Sequence, residues 1–245
     1  MALTITTREI TYTAPDGTAL IGYFAAPENA QNVAGVLVAP EWWGRNSYTE
    51  QRARELAEQG YAALAIDMYG DKKSTTEASQ ANEWMSQTFV QPETIVDRAT
   101  AALETLASQA EVDANKLAAI GFCYGGKVAL DLARSGANVK AITTFHAALG
   151  ANKPAEKNKI QAEILVLHGE QDSMVTLDDV AKFRAEMHNA QVEHEVIIFA
   201  DAKHGFSNPQ ADERAKANGV DLGYNAAAES QGLAAMYELL ARRLA

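Results

Sequence analysis

From Val33 onward, short apolar runs alternate with stretches whose apolar residues recur at helical spacing. That alternation predicts βαβ units, hence a mostly parallel sheet with helices on both faces. Ala34–Ala39 (AGVLVA) is continuously apolar, as a strand buried on both sides must be. Ahead of it, Ile5–Tyr12 and Leu20–Ala25 flank Pro15-Asp16-Gly17-Thr18, a turn sequence, and predict an antiparallel hairpin at one sheet edge. Ser47, with Glu50 three residues later, has the form of a capping box, so a helix is expected over Tyr48–Gln59 with Gly60 as its stop. Further strands are expected at Ala62–Ile66, Leu117–Ile120, Ala141–Thr144, Ile164–His168 and Glu195–Phe199. Helices are expected at Thr75–Gln87 and Glu93–Ala107 (broken at Pro92), from Tyr124 to Ser135, at Leu177–Met187 and at Ala226–Leu244, with Asp67–Ser74 as loop. No repeat or low-complexity linker interrupts this order, so residues 1–245 are expected to form one α/β domain.

Composition narrows the function classes. The chain has 245 residues and a formal charge of −11, which disfavours nucleic acid and anionic membrane surfaces as partners. Its first residues lack a basic start followed by an apolar run, and no run approaches the roughly 18 residues of a membrane span. A single cysteine excludes an internal disulfide and fits a reducing compartment, so a cytoplasmic address is expected. His188 and His194 lack metal-ligand spacing, and Gly121–Gly126 lacks a nucleotide-binding pattern; no metal or cofactor is expected.

The chemistry concentrates in three places. Gly121-Phe122-Cys123-Tyr124-Gly125-Gly126 follows an apolar strand and precedes a helical pattern, the setting of a nucleophile elbow. Cys123 would stand at a helix N-terminus, where the dipole favours a thiolate. The sequence Ile164–Leu167, His168, Gly169, Glu170, Gln171, Asp172 puts a carboxylate just beyond a later strand, suited to orient an imidazole. Asp178 and Asp179 are weaker candidates for that role. His204 follows one more strand in a loop beside Gly205. The chain order nucleophile, acid, base is that of α/β-hydrolases. His146 and His168 also follow strands and are expected to make local hydrogen bonds.

At these positions the sequence resembles the dienelactone hydrolase family of α/β-hydrolases. The resemblance is carried by Pro40-Glu41-Trp42-Trp43-Gly44, Ala65–Gly70, Gly121–Gly126, His168–Asp172 and His204-Gly205-Phe206, with cysteine at an elbow where most relatives of the fold carry serine. It implies an α/β-hydrolase fold without a large cap domain and a Cys123–His204–Asp172 triad. A thioester acyl-enzyme would form on an ester or lactone substrate and be resolved by water. It also implies that Glu41 contacts the nucleophile in the resting state. The oxyanion hole would be the backbone N–H groups of Trp42 and Tyr124. Trp43, Tyr69, Phe206 and Asn208 are candidate pocket residues. The family's dienelactone enzymes hold a substrate carboxylate with two arginines. Asn208 stands near where one would be, and no arginine lies between Arg54 and Arg98, where only Lys72 and Lys73 offer charge. The substrate therefore stays open between a lactone and an uncharged ester or thioester. A non-catalytic binding protein with the same fold is a third reading. A monomer or small homo-oligomer is expected.

Overall fold

The computed structural model describes residues 3–91 and 93–245, so the expected break at Pro92 lies outside the described residues. The hairpin strands are β1 (Ile5–Thr13) and β2 (Ala19–Pro27), joined by a turn in which Asp16 accepts from the Thr18 N–H and Gly17 takes φ 83°. The parallel strands are β3 (Val33–Ala39), β4 (Ala62–Ala65), β5 (Val112–Phe122), β6 (Ala141–Phe145), β7 (Glu163–Gly169) and β8 (His194–Phe199). Among the described residues they form one eight-stranded sheet, ordered β1-β2-β4-β3-β5-β6-β7-β8, in which only the β1–β2 and β2–β4 pairs are antiparallel. This is the α/β-hydrolase fold, an open sheet without a large cap.

Two apolar layers cover the sheet. Leu37, Ala39, Ile164 and Val166 face the layer supplied by α3 (Thr94–Ala107), α4 (Tyr124–Arg134) and α5 (Leu177–Asn189). Val36, Val38, Leu165 and Leu167 face the layer supplied by α1 (Ser47–Glu58) and α7 (Ala226–Arg243). Neighbouring residues thus serve opposite faces, the period-two geometry of a strand buried on both sides.

Several expectations shift. β5 starts at Val112 rather than Leu117, because the polar Asp113–Lys116 stretch continues the strand. The helix at α1 is capped by Asn46, whose side chain accepts from the Tyr48 and Thr49 N–H groups, so Ser47 is already helical. The helix α2 runs Ala78–Phe89, starting three residues later than expected and ending two later. A further helix, α6 (Ala211–Asn218), was not anticipated; its sequence ADERAKAN has no apolar stripe to announce it. The 67–72 loop is organised by Asp67, a fully buried carboxylate accepting backbone N–H bonds from Ile21, Tyr69, Gly70 and Lys72.

The parallel strands end at one edge, in register from Ala39 opposite Gly121 to Gly169 opposite Phe199. Cys123, Asp172 and His204 all lie in the turns and loops just beyond that edge, the usual place for ligands in such sheets.

Candidate active site

Cys123 sits between β5 and α4 with φ 54° and ψ −115°, a backbone conformation that ordinary L residues avoid. The turn is held by Cys123 N–H donating to the Phe145 carbonyl at 3.0 Å and by the Cys123 carbonyl accepting from Gly126 N–H at 3.0 Å. It is also the reason for the flanking glycines. A Cβ on Gly121 would lie 2.0 Å from the Gly125 carbonyl oxygen, and one on Gly125 would lie 2.2 Å from that of Ala39. The thiol is half-buried and lines a cavity of about 260 Å³.

His204 reaches that cavity, and Asp172 stands behind it, from two loops that are laced together. Glu170 N–H donates to the Phe199 carbonyl at 2.9 Å and Gln171 N–H to that of Ala202 at 3.0 Å. Gly169 permits this approach, since a Cβ there would lie 2.3 Å from the Ala202 carbonyl oxygen. The result is a buried pair: His204 Nδ1 to Asp172 Oδ2 is 2.7 Å. The other Asp172 oxygen accepts the Met174 and Val175 N–H groups, each at 2.9 Å, which fixes the carboxylate plane. Asp179, a weaker candidate, instead closes a capping box with Thr176 at the start of α5.

The far nitrogen of His204, Nε2, is buried and has no hydrogen-bond partner. Cys123 and His204 line the same cavity and influence one another's charge. Burial disfavours the charged ring. Charge interaction with Cys123, the bond to Asp172 and the further influence of the sulfur together exceed that penalty, and His204 is raised to about 10.

The same cavity wall includes Trp42 and Tyr124, whose backbone N–H groups donate to no other backbone or side-chain acceptor among the described residues. Tyr124 opens α4, so its N–H is unused by the helix itself. Glu41 is buried at the edge of this space. Its pKa is raised by burial, against the opposing effects of Asn208 and of Arg214. Its Oε2 accepts from Asn208 Nδ2 at 2.7 Å, and no hydrogen bond joins it to Cys123.

The sequence profile of the dienelactone hydrolase family matches residues 20–244. The chain belongs to that family. As a dienelactone hydrolase family member it is an ester or lactone hydrolase, acting on a small molecule and water. A Bradyrhizobium protein named "Probable 2-oxo-3-(5-oxofuran-2-ylidene)propanoate lactonase" is 27% identical over 200 residues, covering 78% of this chain and 80% of its own. The solved structure named m3DLH is 37% identical with a TM-score of 0.92, covering 98% of this chain and 99% of its own. A dienelactone hydrolase-like promiscuous phosphotriesterase from metagenomic libraries is 36% identical with a TM-score of 0.93, over the full length of both chains.

In this dienelactone hydrolase family chain, three of the four expected pocket residues lie outside the cavity wall. Trp43 does line it, with Arg214 stacked on its ring at 4.7 Å. Tyr69 stands behind, stacked against Tyr124 at 6.0 Å with its hydroxyl donating to the Trp42 carbonyl at 3.0 Å. Phe206 is fully buried among Phe145, His146 and Phe199, because the apolar residue after His204-Gly205 turns inward to the sheet. Asn208 is taken up by Glu41. Lys72 pairs with Glu9 on the surface, and Lys73 is exposed. Met85, Phe89, Lys127, Ala148, Met174, Val175 and Leu222 complete the wall and were not foreseen. Only Lys127 had a sequence signal: it follows Cys123 by four residues on the predicted helix, so it shares that face.

Behind His204 lies a second buried imidazole. His146 is fully buried, takes φ 41°, and packs edge-on against the His204 ring at 5.2 Å between centroids, with Phe206 flanking it at 5.2 Å as well. Its Nε2 is 2.9 Å from Ser207 Oγ, which is also 2.9 Å from the Tyr48 hydroxyl; Arg52 donates to the Ser207 carbonyl at 3.0 Å. The bond is not local as expected, since it joins loops 61 residues apart. His168 is buried with neither ring nitrogen hydrogen-bonded. Burial, then the neighbouring His204 charge, hold His146 well below the ordinary imidazole range.

Proposed function

We propose that the chain hydrolyses its ester or lactone by covalent catalysis, with Cys123 as nucleophile, His204 as acid and base, and Asp172 orienting the imidazole. The observation that carries this reading is the buried His204–Asp172 pair at 2.7 Å, whose free Nε2 shares a cavity with the thiol of a strained elbow. Sγ bonds to the carbonyl carbon, and the oxygen takes up negative charge beside the Trp42 and Tyr124 N–H groups. Collapse of that adduct expels the alkoxide, which takes the His204 proton and leaves a Cys123 thioester. Water then attacks the thioester, gives its proton to His204, and the acid product leaves with the thiolate restored. Glu41 acts on the same step by disfavouring a thiolate through its charge when ionised. Asn208 donates to one of its oxygens at 2.7 Å and so restrains the carboxylate.

Because Cys123 is the chain's sole cysteine, intact-mass spectrometry during turnover of an activated ester tests the mechanism directly. Wild type is expected to gain one acyl mass, and Cys123→Ala to gain none and to lose turnover. Hydrolysis retained by Cys123→Ala would overturn the assignment.

A further inference from the structure

Resting on that reading of Cys123, we propose that the substrate is an uncharged ester whose hydrocarbon acyl chain leaves the cavity across an apolar lip made by Phe89 and Met174. The wall around the thiol is apolar: Trp42, Trp43, Met85, Tyr124, Val175 and Leu222 supply much of it. Its charged side chains are Glu41, Lys127 and His204. Lys127 is no receptor for a substrate anion, because its Nζ already holds Asp131 at 2.8 Å and the Gly150 carbonyl at 2.8 Å. No arginine lines the wall; Arg214 lies on Trp43, and Arg134 is bound to Asp131 and Glu186. A carboxylate entering here would lose its hydration next to Glu41 with no free lysine or arginine to replace it.

The lip is marked by exposure. Among the described residues six large hydrophobic side chains are exposed: Leu3, Phe89, Val90, Met174, Leu177 and Ile198. Scattered exposed hydrophobics need no explanation, but four of these six fall in two short segments, 89–90 and 174–177, each of which contributes one of them to the cavity wall. Phe89 (39% exposed) and Met174 (46%) both line the cavity, and Val90 and Leu177 are within three residues of them in the chain. The lip is anchored beside the nucleophile. Phe89 packs edge-on to Tyr124 at 6.0 Å, and Thr88 Oγ1 is 2.8 Å from the Tyr124 hydroxyl. Met174 adds a flexible side chain that adapts to an alkyl group of varying length.

The experiment is a p-nitrophenyl ester series from acetate to octanoate, with a carboxylate-terminated acyl ester of matched length. Wild-type kcat/KM is expected to rise by about two- to fourfold per added methylene until the chain clears the lip. The carboxylate-terminated ester should be at least about tenfold poorer than its neutral counterpart. The double variant Phe89→Ser/Met174→Ser should flatten the octanoate-to-acetate ratio, whereas Ile198→Ser, an exposed residue outside the cavity, should leave that ratio unchanged. Each ratio is internal to one variant, so it does not depend on the folded fraction. A flat or acetate-peaked series, an undiminished ratio in the double variant, or equal turnover of the charged ester would overturn the proposal. Turnover by Cys123→Ala would instead sink the mechanism beneath it, and the two failures are distinct.

Discussion

His204 and His146 are both buried, sit 5.2 Å apart ring to ring, and differ in the direction of their proton affinity. His204 is raised to about 10, while His146 is held well below its ordinary value. Desolvation penalises the charged form of both. What separates them is the partner: His204 faces a thiol on one side and a carboxylate on the other, whereas His146 has only the Ser207 hydroxyl. Burial alone makes a neutral structural imidazole, and a fixed negative charge is needed to turn it into a base.

The strongest way to break the contrast is to make His204 resemble His146. Asp172→Asn keeps the hydrogen-bonding shape but removes the charge, and should lower kcat on a good ester by about 10³–10⁴-fold. A loss smaller than tenfold in steady-state kinetics would mean that the carboxylate is not what distinguishes the two rings.

Stability against pH should separate them with opposite signs. A folded-state value raised above the ordinary 6.5 favours the protonated native state, so the His204 contribution is complete below 6.5 and is lost as pH climbs through about 10. A depressed value works the other way. Below 6.5 the unfolded chain gains a proton that buried His146 refuses, so stability falls as pH falls. Urea unfolding across this range should show His204→Gln losing the alkaline decline and His146→Gln losing part of the acid one, the remainder belonging in part to His168. Parallel curves for wild type and both variants would contradict the assignment.

Ser207→Ala is the mildest test. It removes the hydroxyl from His146 and Tyr48 while leaving the carbonyl that Arg52 uses. A destabilisation of about 1–3 kcal/mol in the same unfolding assay is expected, from buried polar groups left unsatisfied. The ester kcat should change by less than the effect of Asp172→Asn by orders of magnitude.

This pair also shows what could be read in advance. That His204 and Asp172 would meet was legible because strand, glycine and polar residue recur in chain order, and the fold brings strand ends to one edge. The continuously apolar β3 and β7 were legible for the same kind of reason, being buried on both faces. The Ser207–His146–Tyr48 cluster was not, since it joins two loops and a helix through side chains with no common period. Nor was the outer cavity wall, where Phe89 and Met174 come from unrelated elements. Tyr69 and Phe206 failed as pocket residues because adjacency to a motif does not tell which way an aromatic ring points. The helix α6 escaped for want of an apolar stripe, and the front of β5 because its side chains are polar.

The left-handed backbone at Cys123 sets activity and durability against each other at one position. Holding a side chain there costs about 1–3 kcal/mol that glycine would not incur. On the proposed mechanism, selection for robustness alone would therefore erase Cys123, and a consensus- or stability-guided redesign of this chain must exempt residue 123 or arrive at a sturdier, inert protein.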